Sequence, residues 1–82
     1  MERVTKVEAL PDWCLRVHFT DGTVGVVSIK HLLAGPVFQP LKDLAEFARV
    51  FVDEFGAVAW PCEADLAPDA LYEDIRAQTT VV

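Results

Sequence analysis

Apolar and polar side chains alternate along the first third of the chain. Trp13, Leu15, Val17 and Phe19 interleave with Cys14, Arg16, His18 and Thr20, the period of two that marks a strand with one buried face. Asp21-Gly22 follows, and this pair supplies the positive φ values of a two-residue type I′ turn. Residues 23–29 are therefore expected to return as the second arm of a hairpin. That loop sets Phe19 against Val24, Val17 against Val26 and Leu15 against Ser28. The core face is then Leu15, Val17, Phe19, Val24 and Val26, while the other face carries Arg16 opposite Val27 and His18 opposite Gly25.

Residues 4–10 read as a preceding strand stopped by Pro11-Asp12. Gly35-Pro36 and Pro40 mark 31–40 as a loop, with Leu32, Leu33, Val37 and Phe38 expected to tuck onto the core. Leu41, Leu44, Phe47, Ala48 and Phe51 then recur at helical spacing. Asp43 with Glu46 resembles a capping box, so a helix is predicted over 44–49. Residues 50–53 and 57–60 read as two strands joined by Glu54-Phe55-Gly56, the second ended by Pro61. Pro68 suits the first turn of a final helix, with Leu71 and Ile75 on its inner face and Asp69, Glu73 and Asp74 on its wet one. The expected order β-β-β-α-β-β-α is α+β, a small antiparallel sheet with two short helices. One domain spans 1–82, with its body over about 3–76 and a C-terminal tail at 77–82.

Composition sharpens this picture. Hydrophobic residues make up 52% of the 82, too many for a disordered chain, yet no run approaches the roughly 18 apolar residues of a membrane span. A domain this small buries only around 60% of the surface its unfolded chain exposes. With no disulfide or metal framework evident, part of the apolar surplus is expected to be covered by another chain.

The net charge of −6 is unevenly placed, +1 over residues 1–42 and −7 over 43–82. Such an acidic half repels phosphate backbones, so direct nucleic-acid contact is not expected. Two cysteines make no disulfide framework, and the N-terminus has no apolar secretory core. Reduced thiols in a cytoplasmic setting are the expectation.

Candidate chemistry is sparse. Cys14 and His18 sit four residues apart on a strand, about 13 Å, too far to share a zinc whose ligands each lie about 2.0–2.3 Å from the metal. Adding His31 and Cys62 gives a four-ligand set but no ligand spacing. Cys62 as a nucleophile needs a base within hydrogen-bond reach, and nothing in the sequence brings His18 or His31 to it. No catalytic, metal or cofactor residue is therefore assigned.

The candidate interaction residues fall in three groups. Trp13 and Trp60 sit at strand ends, suited to the core or to an interface. Arg16 and His18 occupy the open sheet face, where Val27 and Ile29 would join them beneath a covering chain. Glu63, Asp65, Asp69, Glu73 and Asp74 form the densest acidic cluster, either a docking surface for a basic partner or solvated acids near a helix start; Asp65, Asp69 and Glu73 are the ones expected to face such a partner. The stretch Gln78-Thr79-Thr80-Val81-Val82 is β-prone, fit to fray or to add a strand to a neighbouring sheet.

Several separated motifs occur in a distinctive order: Phe19-Thr20-Asp21-Gly22-Thr23-Val24-Gly25; Gly35-Pro36-Val37-Phe38 before Pro40-Leu41; Val58-Ala59-Trp60-Pro61; and Ala64-Asp65-Leu66-Ala67-Pro68-Asp69-Ala70-Leu71-Tyr72-Glu73. Together they resemble the small bacterial family catalogued as domain of unknown function 2442, over about residues 4–73. The resemblance implies a compact α+β domain that mostly stands alone. Some members are fused to helix-turn-helix domains, and many are encoded beside another small protein in pairs suspected of being toxin–antitoxin-like. No catalytic residue comes with it. The family usually has Asn-Gly after Trp-Pro, where this chain has Cys62-Glu63, so a turn built on glycine's positive φ would be reached here at a cost.

These readings converge on a non-enzymatic interaction or assembly module, self-associating or acting as the antitoxin-like partner of a small neighbouring protein. One alternative is an accessory or ligand-sensing domain linked to transcription regulation; another is a small metal- or thiol-dependent enzyme.

Overall fold

A computed structural model describes residues 2–80, with side chains described as far as Gln78. Strands β1 (Val4–Leu10), β2 (Cys14–Phe19) and β3 (Val24–Ser28) form one antiparallel sheet in that order. Two 3₁₀ turns, Lys30–Ala34 and Gln39–Lys42, lead to helix α1 (Leu44–Phe47). Strands β4 (Phe51–Val52), β5 (Val58–Ala59) and β6 (Asp65–Leu66) form a second antiparallel sheet, and helix α2 (Pro68–Thr80) follows. The α+β class stands, but with two three-stranded sheets and a sixth strand that the sequence pattern does not reveal. No helix among the described residues is long and apolar enough to cross a membrane.

The hairpin register differs by one residue from that expected of a two-residue loop. Leu15 pairs with Val27, Arg16 with Val26, Val17 with Gly25 and His18 with Val24. The loop is Thr20-Asp21-Gly22: Phe19 N–H donates to Thr23 O at 2.9 Å, Gly22 N–H donates to Phe19 O at 3.0 Å, and Gly22 holds φ +89°. This is the three-residue hairpin loop, a turn followed by a left-handed residue.

A one-residue slip exchanges the faces of a strand. Val27 and Ile29 are thus buried at 5% and 2% exposure, while Val24 and Val26 stand out at 50% and 42%. The physical reason lies across the core. The two-residue register would bury Ser28 and expose Ile29. The observed one turns Val27 and Ile29 inward and sets Gly25 beneath α2, where a Cβ would overlap Ile75 Cγ2 and lie 2.9 Å from Cγ1.

The same turn recurs twice. Asp53 N–H donates to Ala57 O and Gly56 N–H to Asp53 O; Trp60 N–H donates to Ala64 O and Glu63 N–H to Trp60 O. The left-handed residues are Gly56 at φ +78° and Glu63 at φ +73°. Glu63 therefore occupies a glycine's conformation, at roughly 1–2 kcal/mol for an L-residue.

The core runs through both sheets. Leu15, Val17, Phe19, Val27 and Ile29 meet Val58, Trp60 and Ala64, and Leu33, Leu41, Phe47, Leu71 and Ile75 close it. Arg3 ties the sheets at one end. Its carbonyl accepts from Thr20 N–H, and its guanidinium donates to Glu54 O at 2.7 Å and Phe55 O at 3.3 Å. Beside it Val4 N–H donates to Gly56 O.

Four smaller expectations change. Val37 is 57% exposed rather than tucked in, while Leu33 is buried. Asp43 caps α1 by accepting from Ala45 N–H at 2.9 Å, but Glu46 turns to Arg49 at 3.3 Å, so only half the capping box forms. Helix α1 ends at Phe47 and leaves Leu44 and Phe51 exposed. Finally, Gln78, Thr79 and Thr80 continue α2 rather than forming a separate tail, and Val81 and Val82 lie outside the described residues.

Gly25→Ala is expected to destabilise the chain by about 1–3 kcal/mol through overpacking and Ile75→Ala by about 2–5 kcal/mol through a cavity, with the double variant losing less than the sum. Glu63→Gly is expected to raise stability by about 0.5–1 kcal/mol, relief of the left-handed strain exceeding the extra freedom of the unfolded chain. Urea unfolding of the four variants measures each effect.

Candidate interaction surface

The open face of the first sheet is built by strand alternation. Residues of β2 that do not point into the core, Arg16 and His18, stand beside Glu8 of β1, which pairs directly with Arg16. Glu8 bridges both: Oε2 lies 3.5 Å from an Arg16 guanidinium nitrogen and Oε1 lies 3.2 Å from His18 Nε2. The His18 hydrogen bond, helped by the Lys6 and Arg16 charges, holds the Glu8 carboxyl below its ordinary range. Arg16 is exposed and His18 half-buried, so the sequence placed both residues on the correct face.

Val27 and Ile29 do not join them. Both point to the opposite face and belong to the core, because of the one-residue register shift. Val26 takes the place expected of Val27, directly opposite Arg16, and Val24 lies opposite His18. Sequence reasoning missed these two valines. A preference for burying Ile29 over Ser28 was the signal that could have found them.

Trp13 is seated against the core instead of standing free. Its Nε1–H donates to Leu41 O at 2.6 Å, and its own carbonyl accepts from Ile29 N–H at 2.9 Å. Asp12 and Trp13 adopt positive φ, +62° and +56°, a backbone cost for non-glycine residues that these bonds help to hold. Lys30 covers the site, its Nζ 3.1 Å from Asp12 Oδ1 and 6.0 Å from the indole centroid. Trp60 is 2% exposed, donates to Phe47 O at 2.9 Å and stacks on the Phe47 ring.

The acidic residues are dispersed. Asp65 stands on β6 opposite Ala59, while Asp69 and Glu73 of α2 line a shallow depression with Glu2 and Tyr72. Among the described residues no three His, Cys, Asp or Glu side chains converge to hold a metal ion. Cys14 and Cys62 are free thiols; Cys14 donates weakly to Asp12 O, and Cys62 lines an open depression with Asp43, Glu46 and Arg49. A partly enclosed cavity of about 210 Å³ lies between β3 and α2 against Val27, Ile29, Leu66 and Leu71, with His31 and Asp74 also lining it. It is smaller than the roughly 300–1,000 Å³ of ordinary small-molecule sites.

At the hairpin tip, Tyr72 O–H donates to Asp21 Oδ2 at 2.5 Å and Thr23 N–H to Asp21 Oδ1 at 2.9 Å. The Tyr72 bond first, then the Thr23 amide, lowers the Asp21 carboxyl below its usual range. The Tyr72 ring also meets Phe19 edge-on at 5.0 Å, so this corner fixes α2 against the hairpin.

The paired small sheets and the closing helix define a small α+β domain. The chain belongs to the family described as "Protein of unknown function (DUF2442)", whose profile matches residues 4–77. No curated protein matches. Among solved structures, the crystal structure of "Putative DNA Binding Protein NE0471" from Nitrosomonas europaea ATCC 19718 is similar, with a TM-score of 0.81 and 32% identity. The match covers 96% of this chain and 52% of that one, so this chain spans about half the length of that protein.

Tyr72→Phe is expected to return the Asp21 carboxyl toward its ordinary pKa, read by carboxyl-carbon NMR titration. A lowered folded-state pKa stabilises above the ordinary carboxylate range and loses that contribution as pH falls through the lowered value. The variant should therefore show a smaller stability loss across that acidic window than the parent.

Proposed function

We propose that this chain is a non-enzymatic protein-interaction module whose work is assembly. The observation that carries the reading is the apolar surface left outside the core: Phe55 is 73% exposed, Leu44 59%, Val37 57%, Val24 50%, Phe51 44% and Val26 42%. Single exposed apolar residues are ordinary, but six large ones among the described residues fit a body that finishes burying itself on a partner. Apolar burial at about 25 cal/mol per Å² provides the drive. No catalytic step enters this proposal.

A second reading is an accessory role in transcription regulation, favoured by the similarity to about half of a protein described as a putative DNA-binding one. In this reading the present domain assembles or senses while other chain contacts DNA. The charge of −6 supports that division of labour.

Both readings are tested with the immobilised full chain. Expected is specific recovery of itself or of one protein from its host, falling about tenfold when those of the six residues that line the contact are replaced by Asp, and no retardation of duplex DNA by the chain alone. Failure to capture anything, with the chain monomeric at high concentration, removes the assembly reading. A salt-dependent shift of duplex DNA assigns direct DNA contact instead.

A further inference from the structure

The two edges of the first sheet are guarded very differently. Along β1 the edge carries Lys6 and Glu8, has an irregular register between Val4 and Lys6, and at Val4 donates to Gly56 O beside β4. Charges, bulges and covering segments are the usual protections of a sheet edge. Strand β3, Val24-Gly25-Val26-Val27-Ser28, has none of these: no charge, no proline and no bulge.

Hydrogen-bond phase fixes what this edge offers. Phe19 bonds Thr23 and Trp13 bonds Ile29 across the hairpin, so odd-numbered residues of β3 face β2. The N–H and C=O groups of Val24, Val26 and Ser28 therefore point away from the sheet, with no hydrogen-bond partner among the described residues. The side chains of Val24 and Val26 are exposed beside them.

We propose that this edge pairs with the same edge of a second copy, antiparallel and centred on Val26, to give a continuous six-stranded sheet; the inference rests on the assembly reading above. The strand is self-complementary about that point. Val26 meets Val26 of the second copy in a doubly hydrogen-bonded pair, and Val24 meets Ser28 on either side, so all three outward N–H and three outward C=O groups of each copy are used. No charged side chain is set opposite a like charge, because Arg16 and His18 lie one strand further in. A two-fold axis through such a pair is perpendicular to the sheet, which places both α2 helices on one face and both Glu8–Arg16–His18 clusters on the other.

The contact is small beside the 1,200–2,000 Å² of standard interfaces, so a dissociation constant in the range of about 10–100 µM is expected. Sedimentation equilibrium of the full 82-residue chain, over about 5–500 µM to bracket that range, should give a monomer–dimer equilibrium. Val26→Pro removes an outward N–H without touching the β2 ladder and should weaken the dimer at least about tenfold. Val26→Lys should do the same if the proline variant fails to fold, as checked by circular dichroism, while Lys6→Ala, on the opposite edge of the sheet, should leave the equilibrium unchanged. A chain monomeric throughout, or a dimer indifferent to both Val26 variants, overturns the proposal. In the second case, or where a different protein is captured by the immobilised chain, the assembly reading survives with its interface elsewhere.

Discussion

The seating of Ile75 on Gly25 governs the rest of this molecule. The two residues are fifty positions apart, and the absence of a side chain at Gly25 is what lets α2 lie against β3. Once the helix is there, Val27 and Ile29 must be the inward residues of β3, and the three-residue loop at 20–22 is the one that delivers them. The Tyr72–Asp21 hydrogen bond and the Phe19–Tyr72 ring contact then hold the same helix to the hairpin tip. Packing, register and turn thus agree, the consistency expected of a sequence with one preferred fold.

A second constraint ties to the first sheet a second one whose strands are only two residues long and have little independent stability. Arg3 bonds the hairpin tip and the β4–β5 turn together through backbone carbonyl and amide groups. Gly56 permits this approach, because a Cβ there would lie 2.6 Å from the Arg3 Cβ. The third turn has no such glycine. Glu63 accepts the left-handed conformation because Trp60 and Ala64 on either side are buried and bonded to each other. With Glu63 at its left-handed position, this turn keeps the geometry of the other two and carries a strain that they avoid.

Elements with clear local patterns were legible in the sequence. Strand β1 is recovered residue for residue, and α2 begins at Pro68 with Leu71 and Ile75 inward, as the apolar spacing implied. What the sequence left open was decided at long range. Asp21-Gly22 is compatible with both a two- and a three-residue loop, and the arbiter, Ile75, is far along the chain. Strand β6 has two residues, too few to carry a period. The candidate surface divides the same way: Arg16 and His18 follow from alternation within β2, whereas Val24 and Val26 exchange places with Val27 and Ile29 through a single slip. Trp13 was readable as a strand-end aromatic, but its seat depends on the Leu41 carbonyl, twenty-eight residues away.

Both indole groups donate to carbonyls of one short stretch, Trp13 to Leu41 and Trp60 to Phe47. The chain's intrinsic fluorescence is consequently a gauge of that stretch. Release of the segment between the two sheets frees both indoles to water at once and shifts their emission to the red, while events at the hairpin tip or on the outer face of α2 leave the spectrum nearly silent. The emission of this protein therefore reads the docking of its central connection.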